Sequence, residues 1–225
     1  MPNKLVTYLL LSILLLLILA TVSLFVGVYE FETDVISILK SFFISSTEVS
    51  EADQYILFDL RLPRIVMGIL IGSMLSVSGT CMQGMFKNPL ATPDLIGITS
   101  GATLFAAIAI VLGGFLKAFL PESFHFYLLS IMAFLGSLVT TISVYKIATV
   151  QGKTNVVIML LSGVAITAIG FAITGFLIYL AKEEELRDLT FWNLGSLASA
   201  TWYKNSILLG VMLLSYFFLL GKGKA

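Results

Sequence analysis

Charge is the scarcest thing in this sequence. Of 225 residues only 12% are Asp, Glu, Lys or Arg, against about 25% in an ordinary soluble domain. The formal net charge is zero, so the basic surface that a nucleic-acid partner requires is missing. Cysteine is nearly absent. The single Cys81 excludes a disulfide framework and a cysteine-ligated metal, and inside an apolar run it reads as a small core residue. The single His125, beside Pro121 and Glu122, cannot build a histidine metal site and reads as a loop residue. No Gly-x-x-x-x-Gly-Lys-Ser/Thr occurs, which excludes a P-loop nucleotide site. An intramembrane serine protease is excluded as well, because Ser162 has no histidine inside an apolar segment to activate it. The sequence therefore assigns no catalytic residue, no cofactor and no metal.

Apolar side chains are abundant. Hydrophobic residues make up 58% of the chain and the mean hydropathy is +1.02, which makes lipid its main solvent. Six runs, 5–28, 63–86, 95–115, 125–145, 156–181 and 206–221, are read as spans of the roughly 30 Å hydrocarbon layer at about 1.5 Å per helical residue. The expected fold is an all-α polytopic membrane protein of about six transmembrane helices, one transmembrane domain over 1–225. The first run is longer than a signal peptide's apolar region and has no Ala-x-Ala, so it reads as a retained span. No Asp, Glu, Lys or Arg falls in the middle of a run. Ion-coupled transporters usually place one there, so energy for any transport is expected to come from another subunit.

Lys4, Lys87, Lys146, Lys153, Lys222 and Lys224 gather at the N-terminus, in 87–94 and 146–155, and in the tail, with Asp94 the one acid among them. The positive-inside rule makes these the cytoplasmic side, with both termini there. The other connections carry the remaining acids. In 29–62, the stretch 34–43 has the spacing of a surface amphipathic helix, and the 182–205 connection is expected to hold a short helix dipping into the outer interface. Trp192, Trp202 and Tyr203 suit an interfacial aromatic belt.

Within 61–101 the second run carries a small residue every fourth position, at Gly68, Gly72, Ser76, Thr80 and Gly84, and the fifth run repeats this more weakly with Gly163 and Gly170. Such stripes let helices approach closely, so both runs are expected inside a bundle. Gln83 is expected to bond a neighbouring helix. Arg61 and Arg64 flank Pro63 at the expected start of the second span. Cations at a helix N-terminus oppose the dipole, so another group must favour them: a lipid headgroup, Asp59, or an acidic docking partner. Asn88-Pro89-Leu90-Ala91-Thr92-Pro93 breaks the chain twice, as a tight turn or as a constriction along a path.

Taken together, RLPR (61–64), the glycine-rich helix with Ser78-Gly79 and Gln83, NPLATPDLIGITSGA (88–102), LLSGVAI (160–166) and the Trp192-to-Trp202 segment resemble the FecCD-type permeases. These are the membrane subunits of binding-protein-dependent ABC importers for iron–siderophores, haem and vitamin B12. The resemblance implies a homodimeric pore in the bacterial cytoplasmic membrane, served by an extracellular or periplasmic substrate-binding protein and by separate cytoplasmic ATPase subunits. It implies docking of the binding protein at Arg61 and Arg64, and a cytoplasmic gate at Asn88, Leu90, Thr154 and Asn155. The fifth span and a short outer helix near 190–199 would line the path. Permeases of this kind have about ten helices, so the chain is expected to be an N-terminal part, either a fragment or a truncated permease, inactive in transport alone and without the coupling helices that meet the ATPase. The rivals are a six-helix membrane-embedded vitamin-binding subunit, a structural remnant that dimerises and moves nothing, and an ion-coupled secondary transporter.

Overall fold

The computed structural model describes residues 2–31, 37 and 50–222; the expected amphipathic helix at 34–43 lies outside the described residues, Ser37 aside. Among the described residues five helices are long and apolar enough to cross a membrane: Lys4–Phe25, Glu51–Phe86, Leu128–Ala148, Val156–Leu180 and Trp202–Gly221. The expected span at 95–115 is shorter. Its helix covers Ile98–Val111, 14 residues, or about 21 Å at 1.5 Å per residue. Gly97, at φ 75°, starts it, and it breaks at Leu112 before a single turn at Gly113–Lys117. We number the main helices α1 (Pro2–Phe25), α2 (Glu51–Phe86), α3 (Ile98–Val111), α4 (Leu128–Ala148), α5 (Val156–Leu180), α6 (Glu183–Leu194) and α7 (Trp202–Lys222).

The second span does not start at Pro63. Its helix begins at Glu51 and passes through a π-helical stretch, Ile56–Arg61, in which the Leu62 N–H reaches back five residues to the Leu57 carbonyl. Pro63 has no N–H for the carbonyl four residues before it, and its ring crowds that position. A π-turn just upstream accommodates both effects without ending the helix. Arg61 and Arg64 therefore lie well inside a continuous helix, and the expected conflict with an N-terminal dipole does not arise.

Two compact units are present, one formed by 1–75 with 197–225 and the other by 76–196, and α2 runs through both. In the first unit α7 is tied to the π-helical end of α2. Trp202 donates Nε1–H to the Phe58 carbonyl (2.9 Å), and Asn205 donates Nδ2–H to the Pro63 carbonyl (2.9 Å). Leu57 is completely buried, and so is Asp53, whose Oδ1 accepts from the Tyr29 hydroxyl at 2.9 Å. The apolar face of α1 is exposed throughout, as a helix facing lipid must be.

The second unit is a packed group of α3, α4 and α5 with α6 laid on α3. One cluster, Phe86, Ala91, Ile96, Val144, Ala148 and Met159, fills the end where α2 turns into α3. Another, Ala107, Leu177 and Leu189, seals α6 against α3 and α5. Between α4 and α5 stands a two-residue antiparallel pair, Thr149–Val150 with Lys153–Thr154. Its turn has positive φ at both Gln151 (52°) and Gly152 (75°), the combination a type I′ hairpin turn requires. The short helix expected near 190–199 runs instead over Glu183–Leu194. The acids Glu183, Glu184 and Glu185 occupy its first turn, where they complement the helix dipole, and Glu185 Oε2 accepts from the Lys182 N–H at 2.9 Å.

Candidate functional site

The residues expected to carry function fall in three regions: the arginine end of α2, the turn region at its other end, and the small-residue faces of the helices. At the arginine end, Arg61 is turned back into its own unit. Its Nη1 donates to the Leu24 carbonyl (2.7 Å), its Nη2 donates to the Tyr29 carbonyl (2.9 Å), and its Cζ stands 4.7 Å from the centre of the Phe31 ring. Leu24 lies in the last turn of α1, where carbonyls lack helical partners and a cation complements the dipole. Hydrogen bonds to a charged group contribute about 1.5–3 kcal/mol each, and the ring contact adds about 0.5–2 kcal/mol. Arg61 thus closes the end of α1 from across the sequence. Arg64 is held far less. Its Nη2 lies 3.5 Å from the Ala198 carbonyl, at the outer limit of a hydrogen bond. Its Nε is buried with no partner among the described residues. Neither guanidinium bonds Asp59. Both arginines line one cavity of about 590 Å³, walled mainly by Val26, Val28, Leu60 and Ile65.

At the other end, α2 stops with Lys87 in the left-handed region (φ 49°). The Lys87 N–H bonds the Gly84 carbonyl and the Asn88 N–H bonds the Gln83 carbonyl, a common way of satisfying the last carbonyls of a helix. Asn88 Oδ1 then accepts from the Leu90 N–H at 2.9 Å, which folds the break into a turn and leaves Leu90 81% exposed. Asp94 accepts a hydrogen bond from the Thr99 hydroxyl across the Pro93–Ile96 turn. On the hairpin, the Thr154 hydroxyl is hydrogen-bonded to that of Thr149 (2.9 Å). Asn155 caps α5, its Oδ1 accepting from the N–H groups of Val157 (2.9 Å) and Ile158 (3.2 Å). The structure brings the two expected gate segments to the same end, because the cluster around Phe86 and Ala91 is shared with Val144, Ala148 and Met159 at the base of the hairpin. The side-chain hydrogen bonds of Asn88, Thr154 and Asn155 described above stay within each one's own segment. Asn155→Ala is expected to cost about 1 kcal/mol, the usual worth of an N-cap, measured as a lower unfolding midpoint in detergent.

The small residues divide sharply. A methyl group added at Gly72 or Gly84 would meet nothing within 4 Å, and at Gly68 only Leu197, at 3.6 Å. Ser76 and Thr80 are exposed, and the Thr80 hydroxyl bonds back to the Ser76 carbonyl (2.8 Å). Of the α2 stripe, expected to be buried in a bundle, Gly72, Ser76, Thr80 and Gly84 are exposed and Gly68 is half-buried. Gln83 and Cys81 are exposed too and fill neither the helix-bonding nor the core role expected of them. On α5 the expectation fares differently: Gly163 packs directly on the backbone of Leu95 and Ile96, and Gly170 on Ser100. A close crossing in the group, Gly101 of α3 against Gly136 of α4, was not singled out from the sequence. Its signal was present in the four-residue spacings Gly97/Gly101 and Gly136/Thr140. Beside it a cavity of about 470 Å³ is lined by Thr99, Thr103, Phe134, Ser137, Trp192 and Asn193, with no charged side chain in its wall.

The sequence pattern of the FecCD transport family matches residues 14–225. The chain belongs to the FecCD transport family. Among curated relatives it is 38% identical over 157 residues to the hemin transport system permease protein HmuU of Yersinia pestis, which covers 70% of this chain and 46% of that protein. It is 37% identical over 155 residues to the cobalamin import system permease protein BtuC of Halobacterium salinarum, covering 69% and 39% of the two chains. It is 30% identical over 192 residues to the molybdate import system permease protein MolB of Haemophilus influenzae, covering 85% and 54%. A solved structure described as an inward-facing conformation of a metal-chelate type ABC transporter superposes with a TM-score of 0.73 at 29% identity, covering 96% of this chain and 61% of that one. This FecCD chain spans about half the length of the curated relatives it matches. The family and the five long apolar helices together make it an all-α, multi-pass membrane protein.

Proposed function

We propose that this chain is part of the pore-forming subunit of an ABC importer that passes an iron–siderophore or a related metal chelate. The match to the FecCD transport family over residues 14–225 carries the reading. The names of the relatives, for hemin, cobalamin and molybdate, favour bulky chelates or oxyanions; an iron–siderophore is the finer choice. The pore is a dimer of permease copies in the bacterial cytoplasmic membrane, with the N-terminus and the Asn88–Leu90 turn on the cytoplasmic side. A binding protein delivers substrate to the opposite face, at the arginine end of α2. Separate ATPase subunits act from within, on segments beyond the matched half of the relatives. Selectivity rests with the binding protein, which suits a path walled by Thr99, Thr103, Ser137 and Asn193 without charge. The exposed Leu90 and the neighbouring hairpin form the inner constriction.

The test is uptake in a bacterial strain lacking its own FecCD permeases, supplied with the complete permease and its neighbouring import genes. Labelled ferric siderophore should accumulate at least tenfold over the empty strain, and labelled cobalamin should not. Cobalamin accumulation without iron uptake would reverse the substrate assignment. High-affinity capture of a vitamin with no binding protein present would replace the importer reading with that of a capture subunit.

A further inference from the structure

We propose that Thr99 is a positioning residue that couples the uncharged cavity between α3, α4 and α6 to the Asn88–Leu90 turn, and that the ligand working this coupling is one that presents hydrogen-bond acceptors. The inference rests on the reading of that cavity as part of the path. Thr99 is the residue the two places share. It stands in the first turn of α3 and lines the cavity with Thr103, Ser137 and Asn193. Its hydroxyl also donates to Asp94 Oδ1 in the Pro93–Ile96 turn. Among the described residues this is the one side-chain hydrogen bond between that turn and α3.

The rest of the turn is fixed by its own backbone and by neighbouring helices. The Ala91 N–H bonds the Asn88 carbonyl (3.1 Å), the Leu95 N–H bonds the Thr92 carbonyl (3.1 Å) and the Gly97 N–H bonds the Asp94 carbonyl (3.0 Å). Short turns thus follow one another from Asn88 to Gly97, and a shift at Asp94 is passed back toward Leu90. The far end is clamped. Leu95 and Ile96 lie on Gly163, and a Cβ on Gly97 would stand only 3.0 Å from Thr140 Cγ2 and 3.1 Å from Thr167 Oγ1. Asp94 is exposed, and the Thr99 side chain is what ties it to α3.

A threonine hydroxyl has one proton and two lone pairs. A ligand that brings a donor to Thr99 is accepted by its oxygen and leaves the Asp94 bond in place. A ligand that brings an acceptor competes with Asp94 for the one proton. Thr99 and Asp94 are both exposed, so the released carboxylate is met by water and no charge is stranded in the interior. A chelate that holds its metal through oxygens turns acceptors toward the wall. It would free Asp94 and, with it, the turn beside the inner constriction.

The experiment is amide exchange in the complete permease in lipid nanodiscs, read at Leu95 and Gly97 with and without ferric tris(maltolate), a neutral oxygen-bound chelate that has no N–H or O–H. Thr99→Val keeps the branched shape and removes the hydroxyl; it should speed both amides at least fivefold. Thr99→Ser keeps a hydroxyl and should stay within twofold of the parent. The chelate should speed the same amides at least threefold in the parent and in Thr99→Ser, and should add nothing in Thr99→Val. Its entry is read as quenching of Trp192, which lines the same cavity, assigned by the loss of that quenching in Trp192→Phe. The coupling is overturned if Thr99→Val exchanges as the parent does, if Thr99→Ser exchanges as fast as Thr99→Val, or if the chelate quenches Trp192 and leaves Leu95 and Gly97 unchanged. Failure of the path reading looks different: the chelate would then not quench Trp192 at all, and the valine and serine variants would still decide whether Thr99 holds the turn.

Discussion

Gly136→Leu should be the most damaging single substitution in the α3–α4–α5 group. Gly136 of α4 lies across from Gly101 of α3 with no room between them. A Cβ at 136 would fall against the Gly101 carbonyl oxygen and within 2.7 Å of Phe105 Cβ, and one at 101 would sit 2.6 Å from the Gly136 carbonyl oxygen. Flexible side-chain tips can move aside; the two carbonyl oxygens, and the Cβ atoms of Thr140 and Phe105, move only with their backbones, so the helices themselves must separate. Overpacking in a tight interior costs typically 1–3 kcal/mol and sometimes more, and a leucine at a backbone-to-backbone contact should reach the upper end, about 3 kcal/mol. The measurement is the unfolding midpoint in detergent, with Gly72→Leu as the control of equal bulk. A Cβ at Gly72 would meet nothing within 4 Å among the described residues, so in this chain the control should melt as the parent does. A Gly136→Leu variant that melts with the parent would show that α3 and α4 do not cross as described.

The second large effect concerns one helix and one methyl group. Gly163→Ala and Gly175→Ala, both on α5, should change stability in opposite directions. Alanine is the better helix former by roughly 0.5–1 kcal/mol, and at Gly175, with nothing within 4 Å, that gain should appear. At Gly163 the new Cβ would fall against the Leu95 carbonyl oxygen and 2.9 Å from the Ile96 Cα. The Pro93–Ile96 turn would have to move, and it follows directly on the Asn88–Leu90 break. A loss of about 2 kcal/mol is expected from this overpacking, together with reduced uptake by the complete transporter that exceeds any loss of inserted protein. Equal melting of the two variants would count against the close contact between α5 and that turn.

These glycines show how far the sequence could be read. Gly72/Ser76/Thr80 on α2 and Gly97/Gly101 or Gly136/Thr140 elsewhere share the same four-residue spacing. The spacing states that a face is flat. Which flat face meets another is a property of two helices together, so most of the richest stripe is exposed while an unremarked pair forms a close crossing. The arginines teach the same lesson. Sequence placed them at a helix start because proline usually marks one. The structure carries the helix back to Glu51 through a π-turn and uses Arg61 at the C-terminal end of α1, where a cation complements the dipole it had been expected to oppose.

By itself the sequence determined the solvent, the class and the family. Long apolar runs, sparse charge, the NPLATP break and the Asn155 cap are local properties, set by residues close together along the chain, and a membrane makes them decisive because an unpaired backbone is not tolerated in hydrocarbon. Only the tertiary structure decided that the run at 95–115 yields a helix of 14 residues, that the Asn88–Leu90 turn and the hairpin rest on one shared core, that α3 and α4 cross glycine to glycine, and that Arg61 is engaged while Arg64 is barely held. Each of these depends on atoms brought within a few ångströms from distant parts of the chain, and hydrogen bonds and steric contacts act only at that range.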